Sequence, residues 1–397
     1  MEEKPLLDPG SHDFKLSDIG NHFLQDSPSS ETRKLLIHGL NSFVDHLTDI
    51  GAPVELWIDG SFTTQKINLN MSNLIINQHE LLPFDLKTKT VMEGYLQLLN
   101  LDTSDYTFAA NYLWLSNGSG FYSIIENTFC FFLLINGEIS MLLPPIGLQK
   151  DAIRAIPVCF NLMEENNSSK TNAKIEYVDE YLITNFIKNI DADSEIFDFL
   201  EDYVVERTLV DYIYNCEDLI ELKGNSFSTK RNEINKFKRI HPDYILEKLD
   251  VEKHAEGILD LLNKWISDRM KYLPADQTEL FLDGIYSERS AVKRMLASYN
   301  ELGLIGLVIQ IDGKIQGFTV GEKINDDTAS VIVEKTDFEI FGCAQFIFRE
   351  FAKMLSSEYR VSRINVGDDM GFENLKKVKM SYRPSLMVPK YTVYKRQ

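Results

Sequence analysis

The chain is poor in cysteine and has no close cysteine pair. Its four thiols, Cys130, Cys159, Cys216 and Cys343, lie far apart with no CxxC spacing. That argues against a disulfide framework or a cysteine-built zinc site and fits reduced, buried thiols in a cytoplasmic protein. Long hydrophobic runs are missing too. The most apolar region, Phe121 to Leu148, is broken by Glu126-Asn127 and by Asn136-Gly137-Glu138. It reads as buried strands joined by turns, so no transmembrane segment is expected and any membrane role is peripheral. The N-terminal MEEKPLLDPGSHDF is acidic and lacks the apolar centre of a signal peptide. Ser-His-Asp and Cys-His arrangements, a P-loop and metal-ligand spacings do not stand out. His241 and His254 are isolated and read as surface residues.

What is present is an ordinary globular composition of 397 residues, enough for two or three domains, with a formal net charge of −19. Such a charge opposes indiscriminate coating of nucleic acid and makes local cationic runs informative. Between Lys223 and Arg239 there are six basic residues and one acid, Glu233. On a helix starting near Ser226, Phe227, Arg231, Ile234 and Lys238 share one face and Lys230 and Phe237 flank it. The charges border the apolar stripe, where a lysine or arginine can bury its stem and present its head to a cleft. Two readings stay open: a phosphate-binding wall and an ordinary solvated face. From Lys376 to Gln397 there are seven basic residues and no acid, a second cationic island or a basic tail.

Three units are expected. In residues 1–80 a helix over Ser30–Ile50 precedes a strand at Val54–Ile58, an Asp59-Gly60-Ser61 turn and an apolar run at Leu74–Ile76. Residues 85–205 carry a helix over Val91–Leu101, a hairpin at Asn136-Gly137, a helix interrupted near Pro157, a strand at Lys174–Val178 and a further helix. Residues 206–397 carry a strand at Val210–Tyr214, the basic helix, helices over Ile258–Tyr272 and Glu288–Tyr299, strands across Asp312-Gly313 and at Thr328–Lys335, and an amphipathic helix from Ala344. The second and third units share a strand-hairpin-helix plan, which suggests a duplication.

Two resemblances sharpen this. The segment ELWIDGSFTT (Glu55–Thr64), with LDPGSH before it, resembles the start of a nucleotidyltransferase-like family, in which a Gly-Ser turn holds triphosphate and an Asp-x-Asp holds the metal. Asn70 to Leu74, where those acids belong, has no carboxylate, so a small degenerate α/β segment is expected. The segments DYIYNCEDLIELKGNSFSTKRNEINKF, DGKIQGFTVGEKINDDTASVIVEKTD, INVGDDMGFENLKKVKMSYRP, KYTV and the earlier LPPIG resemble the C-terminal family of bacterial phosphatidylglycerol lysyltransferases. The resemblance covers about residues 85 to 397. It implies an α+β fold of two tandem GNAT-like (acyltransferase) domains with mixed, mainly antiparallel sheets. It also implies transfer of an aminoacyl group from the acceptor end of aminoacyl-tRNA to an amine or hydroxyl, on a lipid headgroup or a small molecule. The alternatives are an acyl-CoA-dependent N-acyltransferase and a binding protein that keeps the cleft without catalysis.

The candidate residues follow. Lys230, Arg231, Lys238 and Lys379 are expected to bind phosphate. Acetyl-CoA-using relatives hold pyrophosphate in an Arg/Gln-x-x-Gly-x-Gly/Ala loop at a helix N-terminus. Here that string is Glu339-Ile340-Phe341-Gly342-Cys343-Ala344, and Glu339 repels pyrophosphate but suits the ammonium of an aminoacyl donor, or simply favours a helix start. Relatives carry Asn-Arg-Glu-Glu-Asp-Leu-Gly where this chain has Asn365-Val366-Gly367-Asp368-Asp369-Met370-Gly371. Asp368 is assigned to substrate binding, and Asp369 or Tyr382 to assisting proton transfer; capping of the next helix is the other reading for the two aspartates. Glu334-Lys335 matches a family Glu-Lys, with Glu334 beside the donor or in an ion pair. An ester donor is already activated, so neither a metal nor a cofactor is expected.

Overall fold

A computed structural model divides the chain into two compact units, residues 1–72 and 73–397. It describes residues 74–396, apart from 77–78, 116–118, 136, 189–198 and 271–277. The helix, strand and Gly-Ser turn expected before residue 70 lie outside the described residues.

The described chain traverses one order of elements twice. After β1 (Leu74–Ile76), the first pass is β2 (His79–Pro83), α1 (Lys89–Leu96), α2 (Phe108–Trp114), β3 (Gly120–Ile125), β4 (Thr128–Ile135), β5 (Glu138–Ser140), α3 (Gln149–Asn166), β6 (Lys174–Asp179), α4 (Glu180–Lys188) and β7 (Tyr203–Asn215). A connector holds α5 (Cys216–Glu221) and the basic helix α6 (Ser228–Ile240). The second pass is β8 (Ile245–Lys248), α7 (Val251–Met270), α8 (Thr278–Ala297), β9 (Ile305–Ile311), β10 (Lys314–Lys323), β11 (Thr328–Thr336), α9 (Cys343–Tyr359), β12 (Arg363–Asn365), α10 (Glu373–Met380) and β13 (Leu386–Lys395). Apart from one-turn helices at Phe199–Asp202 and Tyr299–Leu302, the tandem GNAT-like fold is thus two copies of β-α-α-β-β-β-α-β-α-β.

In each pass an antiparallel meander is followed by a helix that returns the chain to a parallel neighbour. In the second pass β11 pairs parallel with β12; in the first, Met141 bridges in parallel to Ile175. The final strands are exchanged. β7, which ends the first pass, pairs with β12 of the second, and β13, which ends the second, pairs with β6 of the first. A long antiparallel ladder joins β7 to β13.

The local causes are legible. β4, TFCFFLLI, is buried through its first five residues, as befits a strand covered on both sides. Ile135 pairs with Glu138 and Ile311 with Lys314, each closing a two-residue turn. Asp312 and Gly313 both take positive φ there, as a type I′ hairpin requires. α9 buries Phe346, Ile347, Phe351, Ala352 and Leu355 against the sheet. One core cluster runs from Phe129 and Phe160 through to Val320 and Val333, so it spans both passes. A second lies under α5, α6 and α9 and includes Tyr214, Phe237, Ile309 and Phe346.

Three local expectations are corrected. α3 runs unbroken through Pro157; only the hydrogen bond that a Pro157 N–H would make is missing, and Ala155, Ile156, Cys159 and Phe160 hold the helix in the core. The strand expected at Val210–Tyr214 is the end of β7, which opens at Tyr203, and α5 separates it from the basic helix. His254 is buried, not superficial. Its Nδ1 accepts from the Asp250 N–H at 2.9 Å and its Nε2 lies 3.2 Å from Glu247.

Candidate active site between two parting strands

β11 and β12 pair only from Thr328↔Arg363 to Ser330↔Asn365. β11 continues to Thr336, whereas the chain after β12 turns aside at Val366 and at Gly367, whose φ is +69°. The strands therefore part beyond Ser330. A bulge within Val331–Val333, opposite the Val320–Gly321 step, reverses the facing of the residues that follow. Glu334 thereby stands across the ladder from Thr319. Its charge reaches the Cys343 thiol at the start of α9 and the Tyr382 phenol.

Glu334 Oε2 and Thr319 Oγ1 are both closed off from solvent without a hydrogen-bond partner. Burial pushes the Glu334 carboxyl up to about 8, with the Thr319 hydroxyl acting the other way. Over the gap sit aromatic rings. Tyr382 lies 6.1 Å from Tyr214 and 5.2 Å from Phe348, centroid to centroid. Lys230 of α6 places its Nζ 4.2 Å from the Tyr382 ring centre. Burial, then the charges of Glu334 and Glu233, raise the Tyr382 pKa, so the phenol keeps its proton. Glu233 Oε2, from α6, is a further enclosed oxygen without a partner. Burial lowers the Lys230 pKa against the pull of Glu233.

The N-terminus of α9 is covered by α6. Gly342 has φ +80°, and a Cβ there would lie 2.4 Å from the Glu233 carbonyl oxygen and 3.1 Å from Phe237 Cβ. The α6 backbone thus lies directly against the turn that opens α9. Glu339 is turned elsewhere: Lys264 of α7 bridges it at 2.6 Å and Asp337 at 2.7 Å. Glu334 and Lys335 do not pair with each other. Lys335 reaches Glu288 at 2.7 Å and lies 3.7 Å from the Trp265 ring centre.

The candidate residues are not all gathered in one place. Lys230, Tyr382 and Glu334 come together, and the remaining residues are engaged separately. Arg231 Nη1 donates to the carbonyls of Leu222 and Gly224, closing the end of α5. Lys379 Nζ donates to the carbonyls of Val366 and Asp368. Lys238 lies 5.2 Å from the Phe346 ring centre. Asp369 accepts from the Tyr212 hydroxyl and from the Gly371 N–H. Burial alone would raise its pKa, but those two hydrogen bonds prevail and hold it low. Asp369 and Asp368 secure the turn at 368–371, and neither caps α10, whose N-cap is Phe372.

A second constellation has no local signature in the sequence. Lys390, wholly buried, meets Asp105 at 2.7 Å, Asp211 at 3.0 Å and Asp368 at 2.7 Å. Asn365 Nδ2 and the Ser104 N–H also donate to Asp211. These residues come from both passes and lock their junction. Beside them, next to the Met141–Ile175 bridge, a cavity of about 210 Å³ is lined by Asp105, Asn111, Trp114, Leu142 and Tyr177. A larger cavity of about 550 Å³ opens at the N-terminus of α3, where its wall includes Gly147, Gln149, Asp102, Asp179 and Glu180.

Residues 96–394 match the family described as phosphatidylglycerol lysyltransferase, C-terminal. The chain belongs to that family. Residues 1–72 match a separate family of unknown function, DUF6932. A conserved protein of unknown function from Bacteroides thetaiotaomicron is 26% identical with a TM-score of 0.66; the alignment covers 81% of this chain and 100% of that one. The C-terminal domain of a putative lysylphosphatidylglycerol synthetase from Agrobacterium fabrum has the same fold at 12% identity and a TM-score of 0.55, with 79% and 93% covered. An uncharacterised protein of Mycoplasmoides gallisepticum is 25% identical over 195 residues, 48% of this chain and 58% of that protein. The chain thus matches little more than half the length of that relative.

In this member of the lysyltransferase C-terminal family, the departures at Val366 and Gly367 fall where the chain after β12 parts from β11 while still bonded to Tyr212 of β7. Asn365, which precedes them, keeps a buried role: its Nδ2 also donates to the Asp102 carbonyl at 2.7 Å. No helix among the described residues is long and apolar enough to cross a membrane.

Proposed function

We propose that the protein is an acyltransferase that moves an aminoacyl group from aminoacyl-tRNA to an amine or hydroxyl acceptor, in the cytoplasm. The observation that carries this reading is the seating of α6 on the N-terminus of α9. We read that contact as leaving little room for a pyrophosphate at the start of α9, while family membership supports acyl transfer as the chemistry. The acceptor nucleophile attacks the ester carbonyl, a new amide or ester bond forms, and the ester bond to the tRNA ribose breaks. Glu334 takes the acceptor's proton, a task suited to a carboxyl raised toward 8 and unsuited to Asp369, which is held low. Tyr382, kept neutral, donates to the departing ribose oxygen. Positioning supplies the rest. Lys230 and Lys238 are left to meet phosphate, since Arg231 and Lys379 already serve backbone carbonyls.

The cavity at the N-terminus of α3 is the feature that favours an acyl-CoA donor instead. Among the described residues its lining carries Asp102, Asp179 and Glu180 and no lysine or arginine, which weighs against a diphosphate. Incubation with charged tRNA and cell extract, followed by mass spectrometry, should reveal an aminoacylated product. Absence of tRNA affinity at low salt, or saturable CoA binding in a thermal-shift assay, would overturn the reading.

A further inference from the structure

Three oxygens around the gap beyond Ser330 are shut off from water and have no hydrogen-bond partner among the described residues. They are Thr319 Oγ1 on β10, Glu334 Oε2 on β11 and Glu233 Oε2 on α6. Thr319 is wholly buried and stands opposite Glu334 on the ladder. Both face the side of the sheet that α9 covers, since a Cβ on Gly317, two residues before Thr319, would meet Cys343 Sγ at 3.4 Å. Glu233 approaches from α6, and its charge, like that of Glu334, acts on the Tyr382 phenol. Lys230, one turn earlier on α6, sets its Nζ over the Tyr382 ring, and Glu233 Oε2 stays unpaired. Glu334, Glu233 and Tyr382 are each only half-buried as residues, so the gap borders solvent although these oxygens do not.

An enclosed carboxylate without a cation is costly, and Glu334 answers that cost by holding its proton. A ligand that brings the missing cation removes it. An alkylammonium carries a unit charge and three N–H donors, one for each unpaired oxygen. A hydroxyl brings one donor and no charge, which leaves a carboxylate unanswered. The rings of Tyr382, Tyr214 and Phe348 also suit a cation. A metal ion would want a third charged donor, and no group of three His, Cys, Asp or Glu among the described residues is placed to hold one. We propose that the acceptor is a primary amine, which enters this gap as its ammonium and is held by Glu334, Glu233 and Thr319. The inference rests on the aminoacyl-transfer reading above and narrows its acceptor to one class. The ammonium cedes one proton to Glu334 and through it to solvent. The free amine forms the C–N bond, the C–O bond to the ribose breaks, and the second amine proton replaces the one that Tyr382 gives to the ribose oxygen. The donor's own α-ammonium is the competing occupant. It sits on the acyl side of the reacting carbonyl, however, and a carboxylate engaged there is not free to take the nucleophile's proton.

The test incubates the full chain with tRNA carrying a labelled amino acid and with deproteinised cell extract, then treats the labelled product with mild alkali. An amide survives that treatment and an ester is cleaved. A surviving product is expected, with an amine-bearing acceptor identified by mass spectrometry. An alkali-labile product overturns the inference and leaves aminoacyl transfer standing. No product of either kind overturns the transfer reading, and the inference with it. Glu233→Gln should raise the amount of extract needed for half-maximal rate by about tenfold or more, with half-saturation by charged tRNA as in the wild type. A variant that needs more charged tRNA instead places the donor's ammonium at these carboxylates and overturns the inference, as does a variant that changes neither. Glutamine keeps the shape of Glu233, and a melting temperature at or above that of the wild type shows that the variant folds.

Discussion

Glu334 is a carboxyl group whose surroundings oppose its ionisation, and two measurable consequences follow. If it takes the acceptor's proton, the rate of transfer should climb with pH toward a plateau above about 8, because the ionised form is the active one. Glu334→Gln should remove that limb and slow transfer by about 10²–10⁴-fold. Stability moves the other way. The folded-state pKa lies above the ordinary 4.5, so the folded protein holds this proton more tightly than the unfolded chain does. The favourable contribution is complete below about 4.5 and is lost as pH rises toward 8. Glu334→Gln should therefore be more stable than the wild type above pH 8, by on the order of a few kcal/mol at most, and equal to it in acid. Chemical denaturation across pH measures the difference. Lys390 makes the opposite case. Lys390→Met leaves Asp105, Asp211 and Asp368 without their shared cation, and the loss should be about 3–5 kcal/mol in urea unfolding. Both residues lay in stretches that resemble the family, VIVEK and KYTV. Glu334 could be singled out because it follows an apolar strand. Lys390 could not, since its carboxylates are up to 285 positions away in the chain and no periodicity links them.

Individual elements were the most legible level, with misses where tertiary packing overrides local preference. The hairpins at 136–137 and 312–313 follow from glycine and its neighbour alone. The break expected at Pro157 did not occur, because the apolar face of α3 outweighs one missing hydrogen bond. The basic helix was placed correctly, but its purpose was not readable from its charges. Ile234 and Phe237 bury it, and its backbone abuts the start of α9 at Gly342. That contact predicts a sharp response to a small change. Gly342→Ala places a methyl group 2.4 Å from the Glu233 carbonyl at a backbone φ of +80°. Strain and displacement of α6 should together cost about 1–3 kcal/mol. The signature to look for is a lower melting temperature with increased amide exchange confined first to α6 and the start of α9.

At the scale of the whole described unit, the exchange of final strands decides how the two passes behave. A division near residue 206 treats each pass as a domain able to stand alone. The ladders say otherwise: β13 is held between β6 and β7, and β7 between β13 and β12. Neither pass completes its sheet without the other's last strand, and one core cluster runs through both. A duplicated plan is visible in sequence as a repeated order of elements. An exchange is not, because strands β7 and β13 carry the same alternation whichever neighbour they join. The structure therefore predicts a single cooperative unit in place of two. Native-state hydrogen exchange should give the slowest amides of β3–β4 and of β9–β10 the same opening free energy and the same denaturant dependence. Substituting Val393, which is buried where β13 meets β6 and β7, with aspartate should lower both sets together. If Val393→Asp releases the β3–β4 amides while β9–β10 keep their wild-type protection, the passes are independent domains and the exchanged strands are only a seam between them.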